Sequence, residues 1–127
     1  MSQPRRAAMR EPSYFVLAAL LRESGHGYVI IQRVTELSNG RVKLAAGTLY
    51  SVLDRLLGEQ LITAVGEDIV NGRARRYYAL TDTGREALAA EAARMAEAAR
   101  IVTDHAPDPT SGTSRSAGWL APGGLPA

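Results

Sequence analysis

Asn71-Gly72 lies between two runs of β-forming residues and constrains this chain more than any other dipeptide in it. A two-residue Asn-Gly connection admits little besides a tight hairpin. Leu61 to Val65 alternates weakly as a strand before it, and Arg73 to Leu80 (RARRYYAL) returns after it, rich in β-formers. A two-residue turn sets Glu67 opposite Arg76 and Asp68 opposite Arg75, favourable cross-strand charge pairs that leave Arg73 at the tip as the freest cation. A longer loop releases all three arginines. Tyr78 and Leu80 are expected to face the core, and Tyr77 the other side.

Directly before the hairpin, AAGTLYSVLDRLLGEQLI (45–62) repeats Leu49, Leu53 and Leu56 at three-to-four spacing, flanked by Val52 and Leu57. That period predicts a helix with one buried stripe. Its other face keeps Thr48, Ser51 and Arg55 at i, i+3 and i+7. Two hydroxyls and a guanidinium in a row suit base edges and phosphate oxygens, and a small residue such as Gly47 lets the helix start approach a groove closely. The free first-turn N–H groups near Gly47 and Thr48 favour an anion. Any surface helix of a small protein also has a polar face, so this stretch alone does not separate binding from plain solvation.

The remaining elements follow from end signals. Pro12 suits a first helical turn, Tyr14 to Leu21 supplies an apolar face, and Gly25 is expected to end that helix. Gly25-His26-Gly27 makes a tight connection, with His26 as a turn or helix-start residue. Tyr28 to Leu37 continues as a second helix, with Val29, Ile30, Val34 and Leu37 inward and Gln32, Arg33 and Glu36 solvated. Asn39-Gly40 caps its end. Val42 and Leu44 alternate with Arg41 and Lys43 and are read as a short strand against the hairpin. Thr81 caps a last helix running to about Thr103, on which Leu88, Ala92, Met95, Ala99 and Val102 fall at alternating four and three spacing. Glu91 with Arg94 and Glu97 with Arg100 pair at i, i+3. An alanine-rich helix of this kind is marginal alone, which favours docking on a second subunit. Residues 1–10 read as a flexible basic arm and 105–127 as a disordered tail, where Trp119 and Leu120 are the sticky spot.

Composition limits the function classes. The 127 residues, 46% hydrophobic, suffice for one core with tails. Net charge is only +2, but Arg73, Arg75 and Arg76 cluster, and Arg41 and Lys43 precede the 45–62 helix. The absence of cysteine excludes disulfides, thiolate metal sites and a cysteine nucleophile. His26 and His105 have no neighbouring nucleophile or metal-ligand cluster, and no phosphate-cradling glycine motif is present, so neither an enzyme nor a metal or cofactor site is expected. No apolar run nears the ~20 residues that span a bilayer, and a cytoplasmic location without membrane contact is the expectation.

Helix, glycine loop, helix, link, helix and hairpin make a winged helix-turn-helix plan, mainly α with a small β-hairpin wing and a C-terminal helix. GHGYVIIQRV, GTLYSVLDRLLGEQLI and RARRYYALTDTGREAL, in this order and spacing, resemble the PadR family of bacterial transcriptional regulators across about Glu11 to Val102. In that family a Gly-Tyr opens the second helix, a Gly-Thr-Leu-Tyr opens the reading helix, and an Arg-Arg-Tyr-Tyr-x-Leu-Thr-x-x-Gly closes the wing. A proline commonly precedes the Gly-Thr-Leu-Tyr, where this chain has Ala46.

The resemblance implies a winged helix domain over 11–81 and a dimerisation helix over 82–104. It implies a homodimeric repressor of double-stranded DNA on an inverted repeat, released by a small lipophilic or aromatic effector. DNA contacts are then expected from Lys43, Gly47, Thr48, Tyr50, Ser51, Arg55, Arg73, Arg75 and Arg76, and the dimer seam from Leu88, Ala92, Met95, Ala99 and Val102. Effector contacts fall to Phe15, Met95 and Ala99, although the last helix holds no aromatic residue. The competing reading is a winged-helix protein-interaction module that binds no DNA, favoured if Arg55, Arg73, Arg75 and Arg76 are all internally paired.

Overall fold

The computed structural model describes residues 8–105. The tail after His105, with Trp119 and Leu120, and the arm before Ala8 lie outside the described residues. Helices α1 (Glu11–Ala19), α2 (Gly27–Leu37) and α3 (Ala46–Gly58) are followed by strands β2 (Ile62–Val70) and β3 (Arg73–Leu80) and by helix α4 (Asp82–Thr103). A two-residue strand, β1 (Gly25–His26), precedes α2 and completes an antiparallel sheet of order β1-β3-β2. The chain divides into two compact units between Ala92 and Ala93.

In the first unit the apolar stripes meet as their spacing predicts. Val16, Leu17 and Leu20, Ile30 and Val34, and Leu49, Leu53 and Leu56 are all at most 1% exposed and form one core with Leu61, Ile62 and Tyr78. Met9 packs against that core, and Arg10 is the N-cap residue of α1. The ordered domain therefore begins inside the stretch expected to be an arm. Leu88 is 6% exposed in the same core, which ties the first turns of α4 to the winged domain instead of leaving Leu88 for a dimer seam.

Asn71 and Gly72 both take positive φ, 53° and 76°, as a two-residue hairpin turn requires, and the register pairs Glu67 with Arg76 and Asp68 with Arg75. An irregularity between Ala64 and Gly66 shifts the ladder at Val65, which the alternation did not foretell.

Four expectations are corrected. First, α1 ends at Ala19, not at Gly25. Leu20 and Leu21 bond back to Leu17 and Ala18, and the Arg33 guanidinium donates to the carbonyls of Ala19, Glu23 and Ser24 at 3.0, 3.3 and 3.2 Å. Second, Arg33 is therefore half-buried and not solvated, because the end of α1 needs donors. Third, Leu37 is 51% exposed, not inward. Fourth, the third strand is Gly25–His26 and not Val42 to Leu44. The Ser38 hydroxyl takes the Val42 N–H at 2.9 Å and donates to its carbonyl at 3.4 Å, so this backbone is satisfied locally and Val42 is free to enter the core.

The α3 to α4 connection explains the Thr-x-x-Gly string. Thr81 caps α4 through the Gly84 N–H (2.9 Å) while its hydroxyl donates to the Gln60 carbonyl (2.7 Å). A Cβ at Gly84 would lie 1.9 Å from the Leu61 carbonyl oxygen, so only glycine lets this turn of α4 close on the link between α3 and β2.

The second unit contains the rest of α4. Met95, Ala99 and Val102 are exposed there, as is Ile101, and Met95, Ile101 and Val102 are 38%, 65% and 66% exposed.

Candidate nucleic-acid interface

Helix α3 is amphipathic at its own period. Stepping about 100° per residue, Leu49, Leu53 and Leu56 centre the buried side. Gly47, Ser51 and Asp54 then centre the outward side. Tyr50 lies on one flank of it, and Thr48 with Arg55 on the other. All six are exposed, and a Cβ placed at Gly47 meets nothing within 4 Å. No packing inside the described residues calls for a glycine there. The helix start is bare in a second sense: Ala45, at the N-cap, makes no side-chain capping bond, which leaves first-turn N–H groups open.

On the Tyr50 flank the surface forms a groove of about 370 Å³ against the wing, lined by His26, Gly27, Tyr28, Tyr50, Arg73, Arg75 and Arg76 among others. The groove brings Tyr50 and the three wing arginines together. A Cβ at Gly27 would lie 2.8 Å from the Tyr50 hydroxyl. The glycine that opens α2 is thus the seat on which the tyrosine of α3 rests, which links two of the motifs physically. Tyr28, 68% exposed beside it, was not foreseen in the interface. Its position directly after that seat is the signal for it.

His26 caps α2, its Nδ1 accepting from the Val29 N–H at 3.4 Å, and its ring meets Tyr77 edge-on with centroids 5.4 Å apart. Burial and then the nearby positive Arg75 hold its pKa below the ordinary value. Asp68 partly offsets them, and Arg33 adds a further lowering.

The cations differ in how far they are committed. Arg75 and Arg76 approach Asp68 and Glu67 at 3.9 Å, at the edge of ion-pair range, with side chains 34% and 57% exposed. Such pairs contribute about 0–1 kcal/mol, so a phosphate can displace the carboxylate at small cost. Arg73 and Lys43 are exposed and have no partner among the described residues. Arg55, expected as a DNA contact, donates to the buried Ser13 hydroxyl of α1 at 2.8 Å, which holds one edge of its guanidinium in place.

On the Arg55 flank a second cleft, about 230 Å³, is lined by Arg10, Pro12, Thr48, Ser51, Val52 and Arg55. Arg10 was counted with the arm and not with the site. Only the way α1 starts, with Arg10 at its N-cap, brings this residue beside α3. Phe15, read as an effector contact, is half-buried and already engaged, by the Tyr14 ring edge-on at 5.5 Å and by the Arg41 guanidinium 5.9 Å from its centroid. Among the described residues there is no cluster of three metal-ligating side chains, and no helix is long and apolar enough to cross a membrane.

Known proteins are similar to this chain in sequence and fold. The sequence profile of the Transcriptional regulator PadR-like family matches residues 16–90, more than half of the chain. Transcriptional regulator Rv3488 of Mycobacterium tuberculosis is 39% identical over 77 residues, covering 61% of this chain and 68% of that protein. Among solved structures, a PadR family transcriptional regulator from Eggerthella lenta superimposes with TM-score 0.59 at 26% identity over 74% of this chain and 82% of that one. Bacillus subtilis PadR in complex with operator DNA superimposes with TM-score 0.55 at 26% identity, over 62% of this chain but only 45% of the other. The chain belongs to the PadR-like family of transcriptional regulators, which are not enzymes.

Proposed function

We propose that this regulator is a homodimeric repressor that binds double-stranded DNA, placing the outward face of α3 in the major groove and its wing arginines on the flanking backbone. The observation that carries the reading is the outward face itself. Gly47, around which a side chain would meet open space, centres it with Ser51 and Asp54, Thr48 stands beside them, and basic clefts flank the face. Bacillus subtilis PadR, solved in complex with operator DNA, supports double-stranded DNA as the partner. Two copies related by a two-fold axis require an inverted repeat with half-sites about one helical turn apart.

The exposed Met95, Ala99 and Val102 of α4 support dimerisation through this helix, with Ile101 added and Leu88 withdrawn to the core. Ala92, half-buried, stands at the boundary. Release by a small lipophilic or aromatic effector remains part of the proposal on family resemblance alone.

The protein-interaction module has one observation in its favour, since Arg55, Arg75 and Arg76 each have an internal partner. Those partners are a neutral hydroxyl and two carboxylates at 3.9 Å, none of which neutralises a guanidinium fully. Fluorescent duplexes tiled across the protein's own promoter region decide between the readings. Selective binding of one tile over scrambled duplex is expected of the repressor, and equal, weak binding of every tile overturns it.

A further inference from the structure

Cations line the groove on the wing side of α3, and the opposite flank carries them too. Arg10 and Arg55 line one cleft there together with the hydroxyl-bearing Thr48 and Ser51. We propose that this cleft, between the start of α1 and α3, is a second phosphodiester site, in which Arg10 and Arg55 hold a duplex phosphate on the side of α3 away from the wing. The proposal rests on the DNA-binding reading and deepens it, since a helix in the major groove has a phosphate backbone on each flank.

The chemistry of the donors fits that ligand. Two guanidiniums and two hydroxyls supply several N–H and O–H donors, which suits a group with two charged, non-bridging oxygens. Arg55 is preorganised, because the buried Ser13 hydroxyl accepts from one of its terminal nitrogens at 2.8 Å and leaves other donors of the fork for a ligand. Ser13 acts here as a positioning residue. The acid of the first turn of α1, Glu11, is paired with Arg41, its carboxylate accepting from Arg41 Nε at 3.0 Å. Glu59 lines the adjoining cleft that shares Arg10 and Arg55, so it is the local opposing charge that a phosphate must outcompete. Arg55 and Glu59 are both exposed, where screening keeps that opposition small.

The test is fluorescence anisotropy of the full chain on the duplex its promoter tiling selects, titrated against salt, for wild type, Arg10→Ala, Arg55→Ala, Ser13→Ala and Arg73→Ala. Each binding curve is accompanied by a urea midpoint. Arg10→Ala is expected to keep the wild-type midpoint, to weaken binding roughly tenfold, and to flatten the salt slope by about one unit per subunit. Arg55→Ala is expected to act likewise. Ser13→Ala is expected to weaken binding less than Arg55→Ala and to leave the slope unchanged, because the charge remains and only its placement is lost. A single methylphosphonate in the duplex that costs wild type affinity, but costs Arg10→Ala nothing further, would locate the gripped phosphate.

The proposal is overturned if Arg10→Ala and Arg55→Ala bind with wild-type affinity and slope while Arg73→Ala is weakened. In that outcome the repressor reading survives without the second site. If wild type shows no preference for any duplex, the repressor reading and the second site fall together.

Discussion

At the residue scale, glycines that the fold requires differ from Gly47, Gly58 and Gly66, around which a side chain would meet open space. Gly84 cannot carry a Cβ without meeting the Leu61 carbonyl, and Gly27 gives way to the end of the Tyr50 side chain, whereas Gly47 has open space around it. Gly47→Ala is therefore expected to stabilise the protein, by up to about 1 kcal/mol from helix propensity, and yet to weaken duplex binding by crowding the groove. Urea unfolding and anisotropy on the same variant read the two effects. Gain of stability with undiminished binding would remove Gly47 from the interface.

His26 gives the fold a dependence on pH. Its folded pKa lies below its ordinary value, so the unfolded chain takes up the proton first as the pH falls. The stability this neutral cap contributes is fully present above about pH 6.5 and is lost as the pH drops through the lower folded value. Protonation also turns the Nδ1 acceptor of the Val29 N–H into a donor. His26→Asn, which keeps a capping acceptor and does not titrate, is expected to flatten the urea midpoint between about pH 7.5 and 5. A profile identical to wild type contradicts this account of the cap.

At the scale of the element, the hairpin register was legible from the Asn-Gly turn as far as the Gly66–Tyr77 pair, and the irregularity at Val65 beyond it was not. The three helices of the core were legible from their leucine and valine spacing, and the cap at Thr81 from its side chain. Illegible were features set by contacts distant in sequence. Gly25-His26 has neither β-propensity nor enough length to alternate, and becomes a strand only because Tyr77 and Tyr78 lie alongside. Arg33 looks like a solvated helix residue until the last carbonyl of α1 and two carbonyls of the link after it are presented to it. Arg10 joins the site only through tertiary placement.

The weak start of α3 yields an element-scale prediction. Ala46 is the first helical residue, and Ala45 before it has φ −74° and ψ 155°, a conformation that a following proline favours. Ala46→Pro is expected to raise stability by about 0.4–1 kcal/mol, chiefly by restricting the unfolded chain. Loss of stability in thermal or urea unfolding would show that the N–H of Ala46 is needed.

At the scale of the whole molecule, the account requires two copies. Helix α4 runs 22 residues, and beyond Ala92 its large apolar side chains Met95, Ile101 and Val102 are exposed. Met95→Glu with Val102→Glu places carboxylates in the proposed seam, and sedimentation equilibrium is expected to shift from dimer to monomer while far-UV circular dichroism stays helical. A double variant that sediments as wild type places the dimer contact elsewhere.

The central claim, that this chain grips duplex DNA through α3 and its wing, is tested most directly by the salt dependence of binding to the selected promoter duplex, wild type beside Arg73→Ala. Arg73 has no partner among the described residues, so its removal disturbs no internal bond. The account predicts a steep, linear fall of log affinity with log salt concentration for wild type, and a slope shallower by about one unit per subunit for Arg73→Ala. A shallow wild-type slope that Arg73→Ala leaves unchanged would contradict it and favour the protein-interaction module.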